Sequence, residues 1–416
     1  MLIHSASQLL TLAGGPQRGH DLGRLGIIPN GAVVFRDQTI LAVGPTAKLR
    51  QAYPNEPCLD ASDKVVMPGF VDPHTHAIWV GDRAAEFEMR LQGKSYMEIL
   101  AAGGGILSTV HATRTASLGK MMAETRPRLW NMFNFGTTTA EVKTGYGLRA
   151  AVELRMLQAL LALNAEGPLE LGFTFLGAHA IPPEYNQCPD EYVDVMCETI
   201  LPILLEWWPH HAPDFHLPFV DVFCERGAFS LEHSRRLLSR AKELGFPTKI
   251  HADEFENLGG ASLAAEIGSA SADHLVKTSI EDITALGKSN TVAVALPCTP
   301  FGLSEHLYTP AQAILDAGGI LALATDLNPG TAWCENMQFS IALACRYMRL
   351  TPAQAIAAAT INSAQAIHMA DRVGSLEPGK QADLLMLHVA DYRHLGYRFG
   401  SNLVQTVVKK GRIYPV

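Results

Sequence analysis

At 416 residues, 48% hydrophobic and 18% charged, the chain has the make-up of a soluble globular enzyme with one large domain and one smaller. A net charge of −8 without any Lys/Arg run argues against a nucleic-acid surface, and no stretch approaches ~18 consecutive apolar residues, so no membrane embedding is expected. Seven scattered cysteines, odd in number and without a C-x-x-C pair, fit free thiols in a reducing compartment, and the expected location is cytoplasmic.

In chain order, residues 1 to about 66 hold short apolar segments broken by Gly, Pro and Asn, such as Gly31–Phe35 and Thr39–Val43. This reads as a small antiparallel β-unit. The C-terminus repeats the style in Ala382–Leu387, Leu403–Val408 and Arg412–Tyr414. Neither piece buries much of a core alone, so both termini (1–66 with 371–416) are expected to combine into one small β-sandwich domain. From 67 to 370 the texture becomes strands alternating with amphipathic helices, the pattern of a parallel α/β fold.

Eight strand candidates follow: VVMPGFVDPHTH ending at His76, TTTAEVK at Lys143, LGFTFLGAH at His179, FVDVFCE at Glu225, PTKIHAD at Asp253, ASADHL at Leu275, TVAVALP at Pro297 and ILALATD at Asp326. Helical stretches include Leu148–Leu163, Leu231–Leu244, Ala311–Ala317, Glu335–Met348 and Thr351–Ile367, the last opening Thr-Pro as an N-cap and first position should. Eight βα units predict a TIM (β/α)8 barrel, in which functional residues gather at the C-terminal strand ends.

The first strand ends on a paired histidine, and side chains two apart on a strand share a face. His74 and His76 therefore point the same way, about 6–7 Å apart at Cα. His251 at the end of strand five and Asp326 at the end of strand eight complete a set of three imidazoles and one carboxylate for a divalent metal, with one open position for water. A single strand-end histidine is usually structural; four such positions at one end of one barrel are not explained that way. His274 on strand six is a fifth candidate, read as a catalytic group beside the metal because a coordination position must stay open. Glu254, three residues past His251, is a candidate general base, though a solvated loop Glu reads the same in sequence. Gly103-Gly104-Gly105 lacks a following G-K-[ST] and reads as a loop at the mouth, not a phosphate cradle.

PGFVDPHTH, with the later His and the strand-eight Asp, resembles the amidohydrolase superfamily. GDRAAEF, YMEILAAGGGILSTV, GTTTAEVKTGYGL, FLGAHAIPPEY, FCERGAF, HADEF, SADHL and TDLNPG, in that order, narrow the resemblance to the imidazolonepropionases of histidine degradation. The resemblance implies hydrolysis of 4-imidazolone-5-propanoate to N-formimidoyl-L-glutamate with one Zn2+ or Fe3+, in a homodimer. It makes His74, His76, His251 and Asp326 the metal ligands, and Arg83, Tyr146, His179 and Glu254 substrate contacts. Asn328, Gly330 and Thr331 match the loop that holds the opened product. The mechanism expected from this makes Glu254, His274 and Asp326 the catalytic residues: Asp326 or Glu254 carries the water's proton, and His274 with the metal stabilises the developing oxyanion. Thr331 stands where Ser is expected, and CTPFGL (298–303) and TAWCENM (331–337) depart from the family pattern.

The chemistry agrees. A planar Arg fork suits a propionate carboxylate, and the glycines around Tyr146 let a tight loop present its phenol. Binuclear members of the superfamily it resembles commonly use a carboxylated Lys at the end of strand four; here that strand ends Cys224-Glu225, which favours one metal, with Glu225 able in principle to bridge a second. Two rival readings are a deaminase of a heterocyclic base, which has no evident use for Arg83, and a non-catalytic assembly protein, which would not need four metal ligands.

Overall fold

The computed structural model describes residues 1–94, 98 and 104–416. The N-terminal segment supplies β1 (Leu2–Leu10), β2 (Ile27–Arg36), β3 (Thr39–Pro45), β4 (Cys58–Asp60) and β5 (Val65–Pro68). Eight strands follow as β6 (Phe70–Asp72), β7 (Thr137–Lys143), β8 (Glu170–Ala178), β9 (Phe219–Cys224), β10 (Lys249–Ala252), β11 (Ser271–His274), β12 (Val292–Ala295) and β13 (Ile320–Leu323). These eight pair in parallel and in sequence order. The ring closes just beyond β6 and β13, where the Asp326 and His76 amides donate to the His74 and Leu327 carbonyls at 3.1 and 2.8 Å. Buried Asp72 stitches the same seam by accepting from the Thr325 amide and hydroxyl at 3.1 and 2.5 Å. The fold is a TIM barrel with a separate sheet built from both termini.

That second sheet is completed by β14 (Leu384–Leu387), β15 (Val404–Lys409) and β16 (Arg412–Pro415), in the order β16-β15-β14-β5-β1-β2-β3 with β4 branching from β1. It curls over on itself. Ile3, Val33 and Phe35 from one end share a core with Leu384, Met386 and Val408 from the other, and Ile40 exchanges backbone bonds with the 379–380 turn. The sheet is mixed, not purely antiparallel, because β1 runs parallel to both β4 and β5. The VVMPGFVD run is also two strands. Gly69 separates β5, bonded to β1 and β14, from β6 in the barrel. A Cβ on Gly69 would lie 2.2 Å from the Thr138 hydroxyl, so the crossing between the two sheets has room only for glycine.

The Thr351 helix opens with a full capping box to Gln354 but ends early, at Ala358, and a second helix runs Ile361–Ala366. The break lets the Ala359 carbonyl accept from the Val71 amide at 3.0 Å, which ties the helix pair to the first barrel strand. Of the Gly103–Gly105 loop, Gly103 lies outside the described residues, and Gly105 (φ +81°) precedes a helix at Ile106–Thr115.

One ionic cluster fastens the terminal sheet to the barrel. Glu170 at the start of β8 accepts from Lys409 Nζ at 2.9 Å and Gln381 Nε2 at 2.8 Å, and also pairs with Arg372. Burial would raise the Glu170 carboxyl, but Lys409, Gln381, Lys410 and Arg372 outweigh it and hold the group well below its ordinary 4.5. A carboxyl depressed on folding stabilises above its unfolded pKa and loses that contribution as pH falls toward the folded one. Glu170→Gln should therefore cost about 2 kcal/mol at neutral pH. In thermal melts across pH, the gap between the wild type and this variant should narrow below about pH 4.5.

Candidate metal centre and active site

Period-two alternation decides what fills the barrel. On β7 it turns Glu141 and Lys143 inward, on β10 Lys249 and His251, on β9 Asp221 and Phe223, and on β11 Asp273. Glu141, Lys143, Asp221, Lys249 and Asp273 are all fully buried. Lys143 Nζ lies 2.8 Å from Glu141 Oε1, 2.8 Å from Asp221 Oδ2 and 3.5 Å from Asp273 Oδ2. Lys249 Nζ donates to the other Glu141 oxygen and to the Pro73 carbonyl, both at 2.8 Å. The Thr174 hydroxyl also donates to Glu141.

This ionic floor aims the histidines above it. Asp273 Oδ2 accepts from His74 Nδ1 at 2.7 Å, and Asp221 Oδ2 lies 3.1 Å from His251 Nδ1. A proton fixed on His74 Nδ1 leaves its Nε2 as a lone pair, and the Asp221 carboxylate beside His251 favours the same tautomer there. The Nε2 atoms converge: His74 to His76 is 3.3 Å and His76 to His251 is 3.3 Å. Asp326 Oδ1 sits 3.5 and 3.6 Å from the first two. Tetrahedral zinc with Zn–N near 2.0–2.1 Å requires donor separations of about 3.3–3.4 Å, so this donor set fits one such ion. Bare lone pairs do not otherwise approach so closely. Burial and the neighbouring cationic groups press His74 and His76 well below their ordinary pKa, which keeps both neutral as ligands must be.

His274 also comes within reach of His74 and His251, and its ring nitrogen Nδ1 has no partner among the described residues. Its Nε2 lies 3.6 Å from Glu254 Oε2. Burial, then the Asp326 and Glu225 charges, push Glu254 well above the usual carboxylate range. Burial likewise raises Asp326 to about 6 against the Thr299 hydroxyl, which donates to its Oδ2. The Glu225 carboxylate accepts from the Phe255 and Glu256 amides at 2.9 and 3.3 Å, so it shapes the Glu254 loop instead of facing the donor cluster.

Over this centre lies a cavity of about 130 Å³ whose walls include His76, Arg83, Tyr146, His179, His251, Glu254, His274, Asp326, Asn328, Gly330 and Thr331. The structure thus brings the candidate metal ligands, catalytic residues and substrate contacts to one place, with His74 beneath, and leaves Glu225 outside it. His179 stacks on His76 at 4.8 Å and donates Nδ1–H to the Gly145 carbonyl at 3.2 Å, which makes Nε2 its acceptor. Tyr146 stands 5.3 Å from His179, ring to ring, on a loop whose Gly145, Gly147 and Leu148 amides all donate to Glu153. Arg83 is held by Glu86 through Nε at 2.8 Å and through one side of Nη2. Its outer Nη1–Nη2 edge remains for a carboxylate. Asn328 spends its amide inside the loop, accepting from the Gly330 and Thr331 amides at 2.8 Å and donating to the Asp326 carbonyl at 2.8 Å.

Residues 228–414 match the Amidohydrolase family, and residues 31–55 match an imidazolonepropionase-like composite domain of bacteria. The chain is 50% identical over 412 residues to imidazolonepropionase from Herpetosiphon aurantiacus, with 99% of this chain and 96% of that protein covered. It is 48% identical over 417 residues to imidazolonepropionase from Chloroflexus aggregans, covering 99% and 98%. The chain belongs to the imidazolonepropionase family. Among solved structures it resembles a zinc-bound adenosine deaminase from Xanthomonas campestris (TM-score 0.72, 19% identity, 100% and 92% covered). It also resembles 5-methylcytosine deaminase from Klebsiella pneumoniae (TM-score 0.73, 17% identity, 99% and 97% covered). At those identities the deaminases share the fold alone.

Several residues that organise this imidazolonepropionase-family site were not singled out from the sequence: Asp221 and Asp273 under the imidazoles, beside Lys143, which was marked only as a strand end, Glu86 behind Arg83, Glu153 under the Tyr146 loop, and Thr299 on Asp326. A signal existed for the first group. Charged residues at every second position of strands otherwise read as buried mark an interior that is not apolar. Asp273→Asn should weaken metal binding by about 10–100-fold, because the His74 tautomer is no longer set by a carboxylate. Competition with a chelating indicator checks this, and an unaltered affinity would remove Asp273 from the metal's support.

Proposed function

We propose that this chain opens the ring of 4-imidazolone-5-propanoate at its amide C–N bond to give N-formimidoyl-L-glutamate, with one Zn2+ or Fe3+ held by His74, His76, His251 and Asp326. The observation that carries the reading is the shared cavity, where the converging donors lie at one wall and the free edge of Arg83 at another. When bound, the metal supplies a water of lowered pKa and polarises the ring carbonyl. Everything else falls to the protein.

The Arg83 outer edge takes the propionate in two parallel hydrogen bonds, with Glu86 fixing the guanidinium plane. His179, whose Nε2 is an acceptor, receives a ring N–H. Water adds to the carbonyl carbon, and His274 donates to the oxygen as negative charge develops there. Asp326 or Glu254 takes the water's proton and returns it to the ring nitrogen as the C–N bond breaks, leaving a new carboxylate. The ligand count, and the engagement of Glu225 by loop amides, support the reading of a single metal. The protein is further proposed to act as a homodimer in the cytoplasm, in keeping with the family resemblance and its seven free cysteines.

The decisive assay forms imidazolone propionate in place from urocanate and follows the loss of its ultraviolet absorbance. Loss is expected with the metal-loaded protein and is suppressed by chelator; absorbance that decays at the uncatalysed rate would overturn the reading. Ammonia released from aminated bases, without this activity, would favour a deaminase instead. Arg83→Ala should raise KM by about 10–100-fold while metal content stays at the wild-type level. Parallel elemental analysis and steady-state kinetics separate the two quantities.

A further inference from the structure

Residues 298–303 and 331–337 each carry a cysteine, and the fold packs the two stretches together. Cys298 opens a short helix, Cys298–Gly302, whose next residue, Thr299, donates its hydroxyl to Asp326. Cys334 follows the Asn328–Thr331 loop at a tight turn, where its amide donates to the Ala332 carbonyl at 2.8 Å. Cys298 is buried with Ala332 and Leu343, and the half-buried Cys334 packs against that cluster. The two segments leave no slack between them. A Cβ on Gly302 would stand 1.9 Å from the Thr331 carbonyl, and Phe301 meets Phe339, on the helix Met337–Tyr347 that follows, edge to face at 5.2 Å. Cys298 Sγ also contacts Ser340 Oγ at 3.2 Å. The neighbouring Cys334 thiol and burial push the Cys298 thiol well above its ordinary range, so Cys298 stays protonated while Cys334 meets solvent.

The geometry points to Cys298 and Cys334 as a disulfide-forming pair, a reversible oxidation site that clamps the helix bearing Thr299 to the loop bearing Asn328, Gly330 and Thr331. The oxidant is a small peroxide. The Cys334 thiolate attacks one peroxide oxygen, the O–O bond breaks, and a sulfenic acid and hydroxide result; the hydroxide takes up the proton that Cys334 released on ionising and becomes the first water. Cys298 sulfur then attacks the sulfenic sulfur. The S–O bond breaks, the Cys298 proton leaves with the hydroxyl as a second water, and the S–S bond forms. Two thiols and one hydrogen peroxide give one disulfide and two waters. Because Thr299 and the Asn328 loop both border Asp326, the clamp shifts the wall of the cavity on the side of strand eight.

The test treats the metal-loaded full chain with hydrogen peroxide and maps its peptides without reduction. The expected result is one cross-linked pair containing Cys298 and Cys334, two thiols fewer than the seven of the untreated protein, and full reversal by dithiothreitol. Cys334→Ser and Cys298→Ser should each abolish the cross-link. Wild-type mapping alone decides the matter should the buried Cys298 variant fail to fold. The kinetic arm rests on the proposed ring hydrolysis: kcat/KM should change on the order of tenfold on oxidation and recover on reduction, as expected for a displaced cavity wall, while Cys334→Ser stays insensitive. Peroxide that leaves Cys334 as a sulfinic acid with no cross-link overturns the proposal, as does a cross-linked enzyme with unaltered kinetics. The mapping needs no substrate, so its failure is distinct from failure of the proposed activity.

Discussion

Five fully buried charges under the histidines are the constraint on which the site depends. Two ammonium groups and three carboxylates are withdrawn from water in the barrel interior, where each ion alone would cost several kcal/mol. The cost is offset only because each has partners: Lys143 spans Glu141, Asp221 and Asp273, and Lys249 returns to Glu141. An apolar filling would serve stability equally well. What it could not do is hold His74 and His251 by their Nδ1 atoms with Nε2 turned upward. The floor therefore belongs to the chemistry more than to the fold.

The strand ends add a second constraint. Asp253, His274, Leu275 and Asp326 all have left-handed backbone, with φ of +56°, +79°, +60° and +56°. Non-glycine residues there store strain of order 1–3 kcal/mol each, and such positions persist where surroundings over-determine them. Here the turn ends each strand abruptly, so that consecutive residues serve different ends. On β11, Asp273 reaches down to the His74 ring, and His274, one residue later, faces Glu254.

The barrel was legible because its strands are short apolar runs with polar ends and its helices carry three-to-four spacing; each of the eight strand candidates overlaps one barrel strand, though the first also takes in a strand of the terminal sheet. Boundaries failed where long-range bonding decided them. Nothing local distinguishes Val65–Pro68 from Phe70–Asp72, and only their different partners make them two strands. Nor does the Thr351 helix advertise that one of its carbonyls is claimed by Val71. The donor residues were legible as types at strand ends, and the glycines beside Tyr146 signalled their loop. Their supports were not. Glu86 and Glu153 sit on helices and look like ordinary surface carboxylates until the loops they hold fold over them.

The seam between the first and eighth strands joins these threads. It is where the barrel closes, through His74, His76, Asp326 and Leu327 backbone bonds, so two imidazoles and the carboxylate are set by the same ladder that completes the ring. The loops leaving the seam stay together. Arg90 Nη2 donates to the Gly330 carbonyl at 2.8 Å, and a Cβ at Gly330 would fall 2.3 Å from Arg83 Nη1. Because Glu86 pins the guanidinium, Arg83 cannot swing aside, and glycine is what lets it lie against the strand-eight loop. A shift of that loop moves the Arg83 edge and Asp326 in concert. The distance between the carboxylate clamp and the donor cluster is thereby a property of one closed seam, not of two independent loops.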